Sequence, residues 1–191
     1  MEYKGDIVYI EQVLAGNLNA YSHIVNRYKD KAFNLAFRIC GNTEEAEEIA
    51  QDSFLKAFRS LRSFKMKSSF STWLYRIVYN SSISQVRTRK NRVLSLEDFP
   101  ADAKDFIGYD ANEEVAVEEY RKSLVNFALQ KLTEEDRALI TLFYYEEMNP
   151  GEIAEVTGIN KTNLKVKLFR ARRKMQEIIE KAEKKKLICH E

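Results

Sequence analysis

One long stretch of the chain combines cations with aromatic rings and contains no carboxylates. Between Ser53 and Leu96 there are ten Lys or Arg residues and no Asp or Glu. These basic residues are Lys56, Arg59, Arg62, Lys65, Lys67, Arg76, Arg87, Arg89, Lys90 and Arg92. Phe54, Phe58, Phe64, Phe70, Trp73, Tyr75 and Tyr79 are interleaved with them. Cations bind phosphates and aromatic faces stack on bases, so the stretch favours nucleic-acid binding, including unpaired strands. Taken alone, it fits a solvated charged face over an aromatic core equally well.

The composition favours an all-α protein that works in the cytoplasm. The chain has 191 residues, of which 45% are hydrophobic, with only 6 Gly and 2 Pro. No apolar run approaches the roughly 18 residues that span a bilayer. The N-terminus also lacks the basic head and apolar stretch of a secretory signal. We therefore expect a cytoplasmic protein that does not itself lie in the membrane.

The sequence contains no arrangement of residues typical of catalysis or metal binding. Two cysteines are too few for a disulfide framework or a four-ligand zinc site, and Cys189 with His190 lacks partner ligands. His23 is isolated, and there is no nucleophile–base pair and no phosphate-binding Gly-rich loop. We expect a protein that is not an enzyme and that needs neither a cofactor nor a small-molecule substrate.

The charges divide the chain into two basic bodies and an acidic connector. Residues 1–95 carry a net charge of +6, residues 96–120 carry −8 and residues 121–191 carry +4. The connector contains Pro100 and Gly108 and lacks helical periodicity. We therefore predict helical domains at 1–95 and 113–191, joined by a flexible acidic linker at 96–112.

The first body reads as helical throughout. Apolar residues recur at helical spacing in two segments: Ile7, Ile10, Leu14 and Leu18, then Ile24, Val25, Tyr28, Ala32, Leu35, Ala36 and Ile39. Gly41 is a natural helix end, and Asn42 or Thr43 is a natural start. The next helix extends to about Leu61, acidic in its first half and basic in its second. Its polar face is typical of an ordinary amphipathic helix, and a protein-docking surface is the alternative.

A Ser/Thr cluster then precedes another helix. Residues 68–72 supply an N-cap for a helix that includes Trp73. The loop between Phe64 and Phe70 could hold a base pulled from the stack. Asn80 follows Arg76 by one turn and could bond a base edge. Taken alone, Trp73 is more typical of a core than of a stacking platform.

The second body contains a helix-turn-helix pattern. Thr133 caps one predicted helix, Pro150 fits the first turn of a short helix, and Gly158 permits a left-handed turn. Asn160 caps the helix that follows, with Leu164, Leu168, Ala171, Met175 and Ile178 as its buried stripe. In this motif the second helix enters the major groove.

The exposed face of that second helix is basic. No acid occurs from Val156 to Gln176, and the helix carries Lys161, Lys165, Lys167, Arg170, Arg172, Arg173 and Lys174. Lys165 and Arg170 could reach guanine acceptors, and Asn163 could read adenine. Thr162 lies beside Asn163 at the helix start, where base edges are usually met. The alternative is an αα-hairpin with a basic, solvated face. The cap at Asn160, the turn at Gly158 and the basic charge together favour DNA binding.

These motifs together resemble the small, two-domain extracytoplasmic-function (ECF) group of bacterial sigma-70 factors. The segment 44–58 is similar to the family's core-polymerase-binding helix. The segment 70–80, with Arg87 beyond it, is similar to its promoter-melting and minus-ten segment. Residues 132–137 and 152–172 look like its minus-thirty-five-reading domain. The order and spacing of all these motifs make the resemblance specific, and it covers nearly the whole chain.

The resemblance implies an alternative transcription initiation factor that binds RNA polymerase core, directs it to promoters and opens the DNA at the minus-ten element. The implied contacts to the clamp helices of the largest subunit are Glu48, Gln51, Asp52, Phe54, Leu55 and Phe58. Those to minus-ten DNA are Phe64, Lys65, Lys67, Trp73, Arg76, Asn80 and Arg87. Those to minus-thirty-five DNA are Thr162, Asn163, Lys165, Val166, Lys167, Phe169, Arg170, Arg172 and Arg173. Implied partners are polymerase core, promoter DNA, both double- and single-stranded, and an anti-sigma factor.

Two departures limit what can be carried over from the family. Ser84 stands where the family often has an acid, which leaves this helix more basic. Residues 163–167 read Asn-Leu-Lys-Val-Lys where family members often have Thr-Val-Lys-Ser-Arg. The promoter sequence preference is therefore not transferable.

Two other functions stay open on the residues alone. One is a stand-alone helix-turn-helix regulator that binds duplex DNA without polymerase. The other is an interaction factor whose basic helices meet an acidic partner. The helix with Gln51, Asp52 and Phe54 distinguishes a sigma factor from a stand-alone regulator, because such a regulator does not need this helix.

Overall fold

A computed structural model describes residues 3–93 and 113–188, with side chains at 5–90 and 118–184. The predicted linker at 96–112 and the Cys189–His190 pair lie outside these residues. All regular structure in the described ranges is helical, which confirms the predicted all-α fold. The α-helices are α1 Tyr3–Leu14, α2 Tyr21–Cys40, α3 Thr43–Ser60, α4 Phe70–Val93, α5 Glu113–Gln130, α6 Glu134–Tyr144, α7 Pro150–Thr157 and α8 Lys161–Ile188.

The predicted stripe in the first helix is wrong. Helix α1 ends at Leu14, and Leu18 begins a separate 3-10 turn, Leu18–Ala20. The face of α1 that packs inward carries Asp6, Ile10 and Val13, whereas Leu14 is exposed. The i, i+4 pair of leucines resembles a helical stripe, but a bend at Gly16, with φ of 104°, interrupts the helix between them.

Asp6 is a buried carboxylate that the sequence reasoning missed. It is 3% exposed, accepts a hydrogen bond of 2.5 Å from the Tyr28 hydroxyl and forms an ion pair with Arg27. A buried charge is tolerated when it is paired and hydrogen-bonded. This cluster therefore fixes α1 against α2.

The boundary between α2 and α3 follows the sequence signals. Gly41 takes a left-handed conformation with φ of 70°. Asn42 is the N-cap of α3, and its side chain accepts a hydrogen bond of 2.8 Å from the backbone N–H of Glu45. The helix ends at Ser60, one residue before the predicted Leu61, which belongs to a 3-10 turn at Leu61–Ser63.

Helices α7 and α8 form the predicted helix-turn-helix. Asn149 and Glu152 make a reciprocal capping box at the start of α7. Gly158 turns the chain with φ of 73°. Asn160 then accepts a hydrogen bond of 2.9 Å from the backbone N–H of Thr162. Leu164, Leu168 and Ala171 of α8 are buried as predicted, and Met175 and Ile178 are half-buried.

The two predicted bodies pack directly on each other. Helix α2 contacts α6, and α4 contacts α7. One cluster of buried apolar residues runs from α1–α4 into α6, α7 and the start of α8. A second, smaller cluster joins Leu129, Leu132, Ile140 and Ala171 around α5, α6 and α8. The seam between the two bodies is therefore part of the main core.

Candidate protein and nucleic-acid interfaces

The polar face of α3 is a continuous exposed surface. Glu48, Gln51, Asp52 and Leu55 are all exposed, at spacings that place them on one side of the helix. Leu55 is 52% exposed and adds an apolar side chain to this otherwise polar face. The structure thus brings four of the six predicted polymerase contacts together.

An apolar groove borders this surface. It has a volume of about 830 Å³ and is lined by Leu18, Asn19, Tyr21, Ser22, Val25, Asn26, Gln51, Phe54, Leu55 and Phe58. Phe54 is only 8% exposed and Phe58 is half-buried, so these two rings form the groove floor. Tyr21 packs edge-on against Phe58 at 5.0 Å between centroids and donates a hydrogen bond of 2.7 Å to the Phe54 carbonyl. Burial raises the pKa of the Tyr21 hydroxyl well above its usual value.

The groove residues before α3 were not predicted. Leu18, whose helical spacing from Leu14 predicts that it continues the first helix, lies outside that helix and is 61% exposed. Its position after Gly16 and Asn17, both typical of turns, was the signal that could have moved it to the surface.

An aromatic cluster lies under the loop at 64–69. Phe64 contacts Trp73 at 5.1 Å and Phe70 at 5.8 Å between ring centroids. Phe70 is buried, whereas Phe64 and Trp73 are half-buried. Phe64 and Phe70 meet at 89°, so they touch each other and leave no slot between parallel rings. Because Phe64 and Trp73 are only half-buried, part of each ring remains accessible to solvent.

The tip of that loop is strained and basic. Met66 has a φ of 52°, in the left-handed region that a side chain with a Cβ rarely occupies. Lys65, Met66 and Lys67 are all exposed. Two exposed cations thus flank the left-handed residue Met66 and directly follow Phe64 of the aromatic cluster in the chain.

Helix α4 presents polar groups one turn apart. The Ser69 hydroxyl accepts a hydrogen bond of 3.0 Å from the backbone N–H of Thr72, which confirms the predicted N-cap. Arg76 and Asn80 are exposed on the same face. Their spacing allows both to reach one strand of nucleic acid.

The basic character of α4 is partly neutralised near its end. Arg89 bonds the Glu45 carboxylate at 3.0 Å and the Cys40 carbonyl at 3.1 Å. Lys90 pairs with Glu134 at 3.0 Å, and Arg87 lies 3.9 Å from Glu135. Arg89 is therefore structural, whereas Arg87, with 73% of its side chain exposed, is still available to a ligand.

Helix α8, the second helix of the helix-turn-helix, presents a mixed basic and apolar face. Thr162, Asn163, Lys165, Val166, Phe169, Arg170 and Arg173 are all exposed. Val166 is 46% and Phe169 58% exposed. Apolar contacts of this kind suit thymine methyl groups, and the cations suit guanine edges and phosphates.

Two predicted contacts lie on the flanks of this face. Lys167 is half-buried and pairs with Glu135 at 3.0 Å. Arg172 donates a hydrogen bond of 3.3 Å to the Tyr144 hydroxyl and lines an apolar groove of about 490 Å³ with Met175 and Ile179. Both side chains are therefore engaged by other residues of the chain in this arrangement.

Charges at the start of α6 are perturbed by their surroundings. Burial opposes ionisation of Glu134, but the backbone N–H, Lys90 and Arg137 together hold its pKa below the usual value. Burial lowers the pKa of Arg137, and Glu134 opposes that shift. Lys90 and Arg137 therefore stabilise the charged form of the Glu134 side chain at neutral pH.

Comparisons with known proteins identify the family. The sigma-70 region 2 family matches residues 24–92, and the sigma-70 region 4 family matches residues 124–175. The chain is 32% identical over 174 residues to the ECF RNA polymerase sigma factor SigW of Bacillus subtilis (strain 168), covering 88% of this chain and 93% of that protein. The chain belongs to the ECF group of the sigma-70 family. This ECF sigma factor is also 30% identical over 179 residues to the RNA polymerase sigma-H factor of Pseudomonas aeruginosa, with 91% of each covered.

Solved structures share the fold. The sigma factor RpoE of Bartonella quintana, in complex with the anti-sigma factor NepR, has a TM-score of 0.68 at 22% identity, covering 84% of this chain and 96% of that chain. CnrH, in complex with the cytosolic domain of CnrY, has a TM-score of 0.64 at 24% identity, covering 91% and 96%.

The family settles the general function. This ECF sigma factor is an alternative transcription initiation factor that directs RNA polymerase to promoters, as the resemblance implied. The comparisons give no support to a stand-alone regulator, because the region 2 match extends across α2, α3 and α4. Within the described residues, no helix is long and apolar enough to cross a membrane.

Proposed function

We propose that the α3 face and its groove form the docking site for the polymerase core. Glu48, Gln51, Asp52 and Leu55 supply an exposed polar rim with an apolar edge, and Phe54 and Phe58 floor the groove beside it. An apolar centre with a polar rim is typical of protein interfaces. The surface fits a helical partner such as the clamp helices of the largest polymerase subunit. The exposed polar rim beside an apolar groove is the main support for this proposal.

The first domain, 1–95, would hold the melted minus-ten strand. Lys65 and Lys67 would bind phosphates, and unpaired bases would stack on the accessible faces of Phe64 and Trp73. A flipped base would lie on the loop side of these rings, since Phe64 and Phe70 touch each other. Arg76, Asn80 and Arg87 would follow the strand along α4.

The second domain, 113–191, would read the minus-thirty-five element through α8. Lys165 and Asn163 would contact base edges, Val166 and Phe169 would contact thymine methyl groups, and Arg173 would bind phosphate. Thr162, Arg170, Lys167 and Arg172 complete this surface. Lys167 and Arg172 would bind DNA at the flanks of this surface after release from Glu135 and Tyr144, respectively.

Three further proposals concern the linker, the cellular location of the protein and a regulatory partner. We propose that residues 96–112 link the two domains and that the protein acts in the cytoplasm, where polymerase and DNA meet. The complex of RpoE with the anti-sigma factor NepR supports an anti-sigma factor as a further partner of this protein.

Reconstituted transcription tests the proposal. Purified protein, mixed with bacterial core polymerase and a promoter library, should yield transcripts from a specific subset of promoters. Core alone and core with Asp52→Arg protein are the matched controls. Tight binding to duplex DNA without any association with core would contradict the docking assignment.

A further inference from the structure

A cavity of about 360 Å³ lies where the end of α2 meets α5 and α6. Its lining includes the guanidinium groups of Arg38 and Arg137, three side-chain amides and one aromatic ring. The amides and the ring belong to Asn34, Asn126, Gln130 and Phe37. None of these six side chains is among the residues assigned above to polymerase or DNA. The proposed function therefore leaves this cavity without a role.

Arg137 brings a buried cation to the cavity without a hydrogen-bond acceptor. Its side chain is only 12% exposed, and its Nε atom is buried and has no partner among the described residues. Glu134 stands 3.7 Å away, beyond hydrogen-bonding distance, and is itself bonded to Lys90 at 3.0 Å. A buried donor without a partner is rare in folded proteins and points to a bound water, ion or ligand.

The end of α2 does not supply the missing acceptor. The Phe37 carbonyl accepts a hydrogen bond of 2.7 Å from the backbone N–H of Gly41, and the Cys40 carbonyl accepts one of 3.1 Å from Arg89. A methyl group in place of the Gly41 hydrogen would lie 3.7 Å from the Nη1 atom of Arg137. The guanidinium thus lies beside the last turn of α2 and lines the cavity, where it is available to an acceptor from outside the chain.

Arg38 adds a second cation to the same cavity. Its guanidinium lies 3.7 Å from the centroid of the Tyr145 ring. Stacking of this kind uses the face of the guanidinium and leaves its in-plane N–H donors available. In the part of the chain that the structure describes, no carboxylate forms an ion pair with Arg38. Two guanidinium groups on one cavity favour an anion, and their forked donors suit a phosphate.

The rest of the lining suits a nucleobase. The Phe37 ring is 39% exposed, and aromatic faces stack on bases. Asn34, Asn126 and Gln130 are exposed. A side-chain amide carries donors and an acceptor side by side, as the edge of a base does. The cavity volume lies at the lower end of the range of roughly 300–1,000 Å³ for small-molecule sites, which fits one nucleotide.

We propose that this cavity binds a nucleotide, with the phosphate held by Arg38 and Arg137 and the base stacked on Phe37 within reach of the amides. The inference is independent of the proposed contacts with polymerase and DNA. A ligand that binds only the folded chain also stabilises it, so the bound nucleotide raises the midpoint of thermal unfolding.

Calorimetric titration of the whole chain with the four ribonucleoside 5′-monophosphates tests the site. At least one of them should bind with a dissociation constant below about 1 mM. The same nucleoside without its phosphate, and inorganic phosphate alone, should each bind at least about tenfold more weakly. Arg38→Gln should weaken nucleotide binding at least about tenfold. Phe37→Ala should weaken it at least about fivefold and leave the affinity for inorganic phosphate unchanged.

Matched variants separate the cavity from other basic surfaces. Arg121→Gln removes the same charge from an exposed site of α5 outside the cavity and should bind nucleotide like wild type. Arg173→Gln, on the proposed DNA face of α8, should also bind like wild type. Thermal unfolding without ligand checks that each variant folds. Asn126→Ala, at an exposed position, gives a second loss of affinity that does not depend on the stability of the Arg38 variant.

Three results would overturn the proposal. One is the absence of binding by all four nucleotides. Another is nucleotide affinity that Arg38→Gln and Asn126→Ala leave unchanged, or that Arg173→Gln abolishes, because the nucleotide would then lie on the DNA face. The third is equal affinity for nucleotide and inorganic phosphate, which would remove the base from the site.

Discussion

The Nζ atom of Lys167 lies 3.0 Å from the Oε2 atom of Glu135. The other oxygen of the same carboxylate lies 3.9 Å from Arg87. One acid of α6 thus faces a cation from each proposed DNA surface, one on α4 and one on α8. This arrangement reduces the positive potential of both surfaces in the compact chain.

Removing that carboxylate should strengthen DNA binding by the free protein. With Glu135→Gln, Lys167 is released and can bind a phosphate, so the slope of log affinity against log salt on a minus-thirty-five duplex should steepen by about one. Fluorescence anisotropy across a salt series measures this. Glu118→Gln removes an equal charge from a pair with Lys122 on α5 and is the control. Identical slopes for the two variants would show that Glu135 does not restrain Lys167.

Substitutions on α8 should separate base reading from phosphate binding. Lys165→Ala should change the ranking of duplex sequences, with about 1–3 kcal/mol lost on the preferred one. Arg173→Ala should weaken all sequences alike and lower the salt slope by about one. Competition binding against a panel of minus-thirty-five variants distinguishes the two. Equal, sequence-independent losses for both would refute the assigned roles.

The contribution of Glu134 should disappear in acid. Its pKa is held below the usual value in the folded chain, so its stabilising effect is present above the unfolded pKa and is lost as pH falls through the folded pKa. Wild-type protein should exceed Glu134→Gln in unfolding free energy by about 1 kcal/mol or less at pH 7, since Lys90 is largely exposed. Urea denaturation over a series of pH values from 7 downward measures how the difference shrinks. A gap that stays constant as the pH falls through the acid range would assign the effect to something other than the carboxylate charge.

Local signals predicted the helix boundaries between α2 and α3 and around α7, but not the end of α1. Gly41 with Asn42, and Pro150 with Gly158, mark helix ends through caps, a first-turn proline and left-handed turns that depend only on neighbouring residues. The helix-turn-helix and its exposed basic face were predicted for the same reason.

Long-range relationships were not predictable from these signals. Tyr75 and Glu146, which share a hydrogen bond, are 71 positions apart, and neither residue is unusual in its own helix or loop. The same holds for the buried Asp6, whose partners lie on α2. The sequence suggested two separate bodies because its charges divide that way. The shared core forms because the apolar faces of α6 and α7 pack against α2 and α4. The periodicity of apolar residues does not specify which helices pack together.

Binding of core polymerase to the α3 face tests the central assignment most directly. Equilibrium titration of labelled core should give a dissociation constant at least about 30-fold weaker for Asp52→Arg than for wild type, equivalent to about 2 kcal/mol, because the substitution reverses the charge that faces the partner. The midpoint of thermal unfolding should not change, because Asp52 is exposed. Asp30→Arg, the same change on an exposed site of α2, should bind core like wild type. Equal affinities for Asp52→Arg and Asp30→Arg would contradict the account and remove α3 from the interface.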